Sequence, residues 1–228
     1  MTTALIAKQK FPKGALLYFL IISQLQDLLW FTFHYLGLEP TYPSDAFDAT
    51  LSNMVVDMLY SHDLLPQLFW LAIVCLLGKL LFKSTKIGLV SVALVSIHFI
   101  LDFFSGHMHH VFGADTMEAG LGLYASKPYL AIFIEALFSI GALWYFFKEE
   151  AKKGIMRTTK NRIAIFSVFA FGVVFMLLIA TKSFRKLFGI PEFDLGFNTI
   201  MPTLIFTYGA MLYCLNYFVP KYTLDSKQ

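Results

Sequence analysis

The chain has 228 residues, 57% hydrophobic and only 14% charged, with a mean hydropathy of +0.66. Soluble domains carry roughly 25% charged residues, so a water-soluble globule is excluded and an all-α, multi-pass bundle of transmembrane helices is expected. The formal net charge of +3 is not gathered into a Lys/Arg stripe with interleaved aromatics, which argues against nucleic-acid binding.

A membrane-crossing helix needs about 20 apolar residues. Segments at roughly 14–36, 64–82, 86–104, 128–147, 163–181 and 199–219 qualify, which predicts six helices. The second has room to begin near Leu51, with Pro66 then in an early turn. The first run has no A-x-A cleavage site after it and reads as a retained helix rather than a signal peptide. Cys75 and Cys214 both lie inside apolar runs, so they form neither a disulfide framework nor a cysteine zinc motif.

Charge in the connections orients the helices. Lys8, Lys10 and Lys13 precede the first, and Lys79, Lys83 and Lys86 flank the turn between the second and third. The stretch "KEEAKKGIMRTTKNR", residues 148–162, carries six more Lys and Arg. Residues 37–63 contain neither, and residues 104–127 contain only Lys127. The positive-inside rule therefore predicts both termini in the cytoplasm, with Lys182, Arg185 and Lys186 dissenting. The basic stretch 149–162 is also the natural linker. It divides residues 1–148, a four-helix unit, from residues 163–228, a two-helix unit and tail whose spans contain no Asp, Glu, His, Lys or Arg.

Ionisable groups at membrane depth cost a few kcal/mol each and are by default functional candidates. Asp27, His62, Asp63, His98, Asp102 and Glu135 qualify, and His98 and Asp102 share a helix face at i, i+4. A rise of about 1.5 Å per residue puts Asp27, His98 and Asp102 about 18–24 Å from the cytoplasmic ends of their helices. The same count puts Glu135 about 10 Å below the outer end, with His62 at the outer mouth. Four helices thus bring these groups to one band in the outer third of the bilayer. Imidazole with carboxylate is a ligand set for a divalent ion, zinc foremost, with iron or manganese also suited. The expected ligands are Asp27, His62, His98 and Asp102. Glu135 or Asp63, with Asp57 a further choice, is the carboxylate expected to act as general base or to orient a histidine. His34 reads as a core histidine, and His107, His109 and His110 either as a solvated loop group or as part of the site.

Four blocks, "QLQDLLW" (24–30), "DMLYSHDLL" (57–65), "SIHFILDFF" (96–104) and "GLGLYASKPYLAIFIEALF" (120–138), occur in an order that resembles a family. The family is a group of small bacterial integral membrane proteins related to membrane-bound metal-dependent hydrolases. The resemblance spans about residues 20–145 and marks Asp27, His62, His98, Asp102 and Glu135. Asp63 stands where the pattern has serine, Leu59 where it has proline, and Ile97 where it has serine. The resemblance implies a hydrolase of the cytoplasmic membrane. A site in the outer third is most easily reached by an amphiphilic, lipid-type substrate. The alternatives are an ion or small-solute transporter using the same cluster, or a scaffold whose polar residues only lock helices together. Almost no polar residues continue toward the cytoplasmic side between Lys13 and Gln24 or between Ala136 and Lys148, which disfavours transport. Oligomeric state is left open.

Overall fold

The computed structural model describes residues 1–192 and 196–224 and is mainly helical. In chain order the helices are α1 (Thr2–Lys10), α2 (Leu16–Ile22), α3 (Leu25–Tyr35), α4 (Leu64–Phe82), α5 (Thr85–Ser105), α6 (Leu123–Ser126), α7 (Pro128–Lys152), α8 (Thr159–Leu178), α9 (Phe184–Phe188) and α10 (Ile200–Phe218). Three two-residue antiparallel ladders tie the connections together: β1 (Thr41–Tyr42) with β2 (Val55–Val56), β3 (His109–His110) with β4 (Glu118–Ala119), and β5 (Ile155–Met156) with β6 (Thr223–Leu224).

Among the described residues, four helices are long and apolar enough to cross a membrane: α4, α5, α7 and α8. The bent pair α2 and α3 makes a fifth if counted as one span. Their outward faces suit lipid, with Leu68, Phe69, Leu80, Leu81, Leu89, Phe133, Trp144 and Phe166 all exposed. The expected first span, 14–36, is therefore a broken helix with a 64° bend. The expected sixth, 199–219, forms the helix α10 but is not among the spans that qualify by length and apolarity. Helix α4 begins at Leu64 and not near Leu51, because residues 51–63 run through β2 and turns. Pro66 accordingly sits in the first turn, where its missing N–H leaves no helix bond unmade.

The N-terminal residues are not a free basic tail. Helix α1 inserts into the bundle with Ala4 and Leu5 fully buried, and returns the chain to the surface at Lys10. Gln9 Nε2 donates to the Phe146 carbonyl, Lys10 pairs with Glu149 at 3.1 Å, and Lys13 reaches the Lys83 carbonyl. These contacts gather the basic connections at one end of the bundle. Connections 36–63, 106–127 and 179–192 gather at the other, where Arg185 pairs with Asp45 and Asp48.

The tightest pairing is α4 against α5. A Cβ on Gly88 would stand 2.5 Å from the Cys75 carbonyl oxygen, so only glycine permits this approach. Nor do the two proposed units have separate cores. Ile165 of α8 and Leu215 of α10 belong to the same buried cluster as Leu5, Phe19, Val74, Val95 and Phe146. The C-terminal pair is thus packed into the bundle rather than appended to it.

Candidate metal centre

The break between α2 and α3 builds half of the site. Ser23 keeps helical dihedrals while Gln24 turns to φ −125°, ψ 18°, and this frees the Ser23 carbonyl from a continuous helix ladder. His98 on α5 donates its Nδ1–H to that carbonyl at 2.8 Å. A carbonyl can only accept, so Nδ1 carries a proton and Nε2 is left facing the carboxylates. Asp27, in the first turn of α3, lies opposite: its Oδ2 is 3.5 Å from His98 Nε2.

The other half comes from the segment before α4. Glu39 is fully buried, and its Oε1 accepts the backbone N–H groups of Tyr60 and Ser61 at 2.6 and 2.8 Å. Ser61 Oγ donates to Glu39 Oε2 at 2.8 Å, so it accepts from His62 Nδ1 at 2.7 Å. His62 thereby has its Nδ1–H committed, as His98 does. Gln67 on α4 donates to the Ser61 carbonyl and accepts from Gln26 on α3, which fastens this segment to both helices. Each imidazole has its outer nitrogen tied off, the arrangement that orients metal-binding histidines.

The two free nitrogens meet two carboxylates. His62 Nε2 is 3.8 Å from Asp27 Oδ1 and 3.2 Å from Asp102 Oδ2, and His98 Nε2 is 3.5 Å from Asp102 Oδ2. Charge-assisted hydrogen bonds between such groups close to about 2.7–2.9 Å. Two ligands 2.0–2.2 Å from one tetrahedral ion stand roughly 3.3–3.6 Å apart. Two of the four spacings, both 3.5 Å, fall in the second range, and the 3.2 and 3.8 Å spacings lie just outside it. Asp27, His62 and His98 can each offer one atom with all three within 4.8 Å, and Asp102 lies against both imidazoles. The donor set and its spacing fit a divalent ion.

Glu135 and the cluster line one cavity of about 470 Å³. Tyr124 donates to Glu135 Oε1, and burial beside that carboxyl raises the phenol's pKa well above its ordinary value, so it stays a donor. Asp63 takes a different place. Its Oδ1 accepts from His110 N and its Oδ2 from Gly113 N, both at 2.8 Å, so it pins the loop after α5. It does not line the cavity. Its expected role in proton transfer therefore has no support in the geometry. Asp57, the further choice, does not line the cavity either.

The loop histidines divide. His110 is drawn to the Thr116 carbonyl. His107 lines the cavity edge-on to Tyr124, and His109 stacks on His62 with ring centroids 5.6 Å apart. Burial pushes both down to about 4, so each is neutral near pH 7. Neither His109 nitrogen, nor His107 Nε2, has a hydrogen-bond partner among the described residues. His34, expected to be a hydrogen-bonded core histidine, lies at the end of α3 with Nδ1 buried and without such a partner.

Reading the sequence for ionisable residues in spans overlooked three participants. Glu39 sits in a stretch that reads as a solvated loop, and Ser61 precedes a candidate ligand without being one. Tyr208 on α10 lines the cavity beside Asp27, although its helix carries no charged residue. The C-terminal pair therefore contributes to the cavity wall.

No protein-family model, curated protein or solved structure matches this chain. The four-block resemblance stands on its motifs alone.

Proposed function

We propose that the chain is a metal-dependent hydrolase of the cytoplasmic membrane, acting on an amphiphilic substrate near the outer leaflet. The observation that supports this reading best is the spacing of the His62 and His98 Nε2 atoms from Asp27 and Asp102, 3.2–3.8 Å, with both Nδ1 atoms already committed. Asp27, His62, His98 and Asp102 would hold the ion, zinc by its ligand preference. When bound, such an ion supplies a Lewis acid and brings the pKa of a water molecule toward neutrality.

The remaining work belongs to side chains around the cluster. Glu135 is the one further carboxylate lining the cavity among the described residues, and takes the proton that a nucleophilic water must lose. Tyr124 holds Glu135 in place from α6. The Ser23 carbonyl and the Ser61–Glu39 pair hold each Nδ1–H and keep both Nε2 atoms aimed inward. The apolar wall of the cavity excludes bulk water and accepts a hydrocarbon chain. The scaffold reading is disfavoured by the same spacings, since imidazolium–carboxylate pairs that only lock helices would draw together.

Elemental analysis of the purified full chain, before and after chelator, tests the reading. One zinc per chain that the chelator removes, and that His98→Ala loses, is the expected result. A chain that holds no ion at neutral pH would leave the scaffold reading in its place.

A further inference from the structure

The cavity runs from the His/Asp cluster to a wall built by α8, α10 and the loops at that end of the bundle. Phe169, Val173, Met176, Ile200, Leu204 and Met211 give that wall its apolar character. Its volume of about 470 Å³ lies in the roughly 300–1,000 Å³ range of pockets that enclose a small ligand. Gly172 on α8 keeps it open. A Cβ there would meet only the Met211 methyl, at 3.5 Å, so the glycine leaves room for something other than the protein's own packing.

The charge on this surface is one-sided. Asp27, Asp102 and Glu135 all line the cavity, and among the described residues no Lys or Arg does. Met1 lines it too, and burial pushes its amino group down to about 5, so it is neutral near pH 7. A divalent ion would balance Asp27 and Asp102, and Glu135 would remain. Phosphate sites draw on Arg, Lys, clustered backbone N–H groups or a metal ion with charge to spare, and here two carboxylates already balance the ion. An anionic head brought here would meet carboxylate without a protein cation to offset it. The polar groups beside the cluster, Thr203, Thr207, Tyr208 and Ser139, are neutral hydroxyls suited to an uncharged head.

We infer that the substrate is an uncharged long-chain carboxylic ester or amide, its hydrocarbon chain lying along the α8–α10 wall and its acyl carbon at the cluster. This rests on the hydrolase reading above and narrows it. Water adds to the acyl carbon and the carbon–oxygen or carbon–nitrogen bond to the leaving group breaks. The proton lost by the water passes through Glu135 to the departing alcohol or amine, leaving a carboxylic acid.

Trp30 lines the cavity and is 7% exposed, whereas Trp144 is 61% exposed. In a full-length Trp70→Phe, Trp144→Phe background, Trp30 reports what enters. The probes are 9,10-dibromostearamide and a dibrominated alkyl phosphate of equal chain length, added to zinc-loaded protein in uncharged detergent. The amide should quench Trp30 saturably, at a concentration at least about tenfold lower than the phosphate. Gly172→Leu and, from the opposite helix, Thr207→Leu should each raise that concentration about tenfold or more, with zinc content unchanged. Quenching by the phosphate as strong as by the amide would overturn the assignment of an uncharged head. Quenching by neither, in a protein that retains zinc, would overturn the chain-binding wall and leave the metal reading standing. A protein that retains no zinc removes the hydrolase reading and this inference with it.

Discussion

Two buried charged clusters lie at opposite ends of this bundle, and they are built on opposite plans. At the basic end, Arg157 closes on its partners. It makes a bidentate pair with Glu150 at 2.6 and 2.7 Å, reaches Asn161 at 2.8 Å, and caps α10 through the Val219 carbonyl at 2.6 Å. At the other end, two imidazoles and two carboxylates are held 3.2–3.8 Å apart, each imidazole restrained from behind. The first cluster is complete as it stands. The second leaves Asp27, His62 and His98 each able to offer one ligand atom to an ion. A buried charge is therefore better judged by whether it closes on its partner than by its presence in a span.

The largest effect expected from breaking this comparison is at the closed cluster. Arg157→Ala leaves the Glu150 carboxylate buried and alone, which should cost about 3–5 kcal/mol of stability. Denaturation of the detergent-solubilised protein should show that loss while zinc per folded chain stays the same. Loss of zinc in a protein of unchanged stability would mean that the two clusters had been assigned the wrong way round.

Next in size is the support behind His62. Ser61→Ala or Glu39→Gln should weaken zinc binding about 10–100-fold, the usual effect of removing a partner that orients a ligand. Competition with a chromogenic chelator measures this. Equal affinities would make the Ser61–Glu39 pair a loop anchor only.

Asp63→Asn sharpens the contrast from another side. A carboxylate accepting two backbone N–H groups becomes an amide with one acceptor, which should cost about 1.5–3 kcal/mol and loosen the 109–113 loop in hydrogen exchange. Zinc content should not change. Abolished hydrolysis with an intact loop would restore Asp63 to the proton-transfer role.

The last effect is on pH dependence. His107 is pushed down to about 4 by burial, below the roughly 6.5 of an exposed histidine. The unfolded chain therefore binds the extra proton first. Stability contributed by neutral His107 is full above about pH 6.5 and is lost as pH falls toward 4. In chelator, His107→Phe should flatten the fall in melting temperature across that window. An unchanged slope would place the titration elsewhere.

Much of the site was legible because membrane burial makes ionisable residues conspicuous. His98 and Asp102 announce themselves by i, i+4 spacing, and Asp27 by its depth. The supporting residues were not legible for a physical reason. Glu39 lies in a connection, where an acid is ordinary, and only the fold shows that it is fully buried. The bend at Ser23 and Gln24 is hidden because apolar residues run on both sides of it, so hydropathy reads one helix. Helix α1 was missed because "TTALIAKQK" is short and mixed in polarity, and its burial comes wholly from tertiary packing. Tyr208 was passed over because a search for charge ignores phenols.

The central claim is that the His/Asp cluster surrounds an ion rather than pairing with itself. Zinc K-edge X-ray absorption on the purified full chain tests it most directly. The account predicts one zinc per chain in a shell of only nitrogen and oxygen at about 2.0–2.2 Å, with the outer-shell signature of two imidazoles. A sulfur-containing shell, a shell without imidazole, or a zinc-free protein whose imidazoles and carboxylates draw in to hydrogen-bonding distance would contradict it.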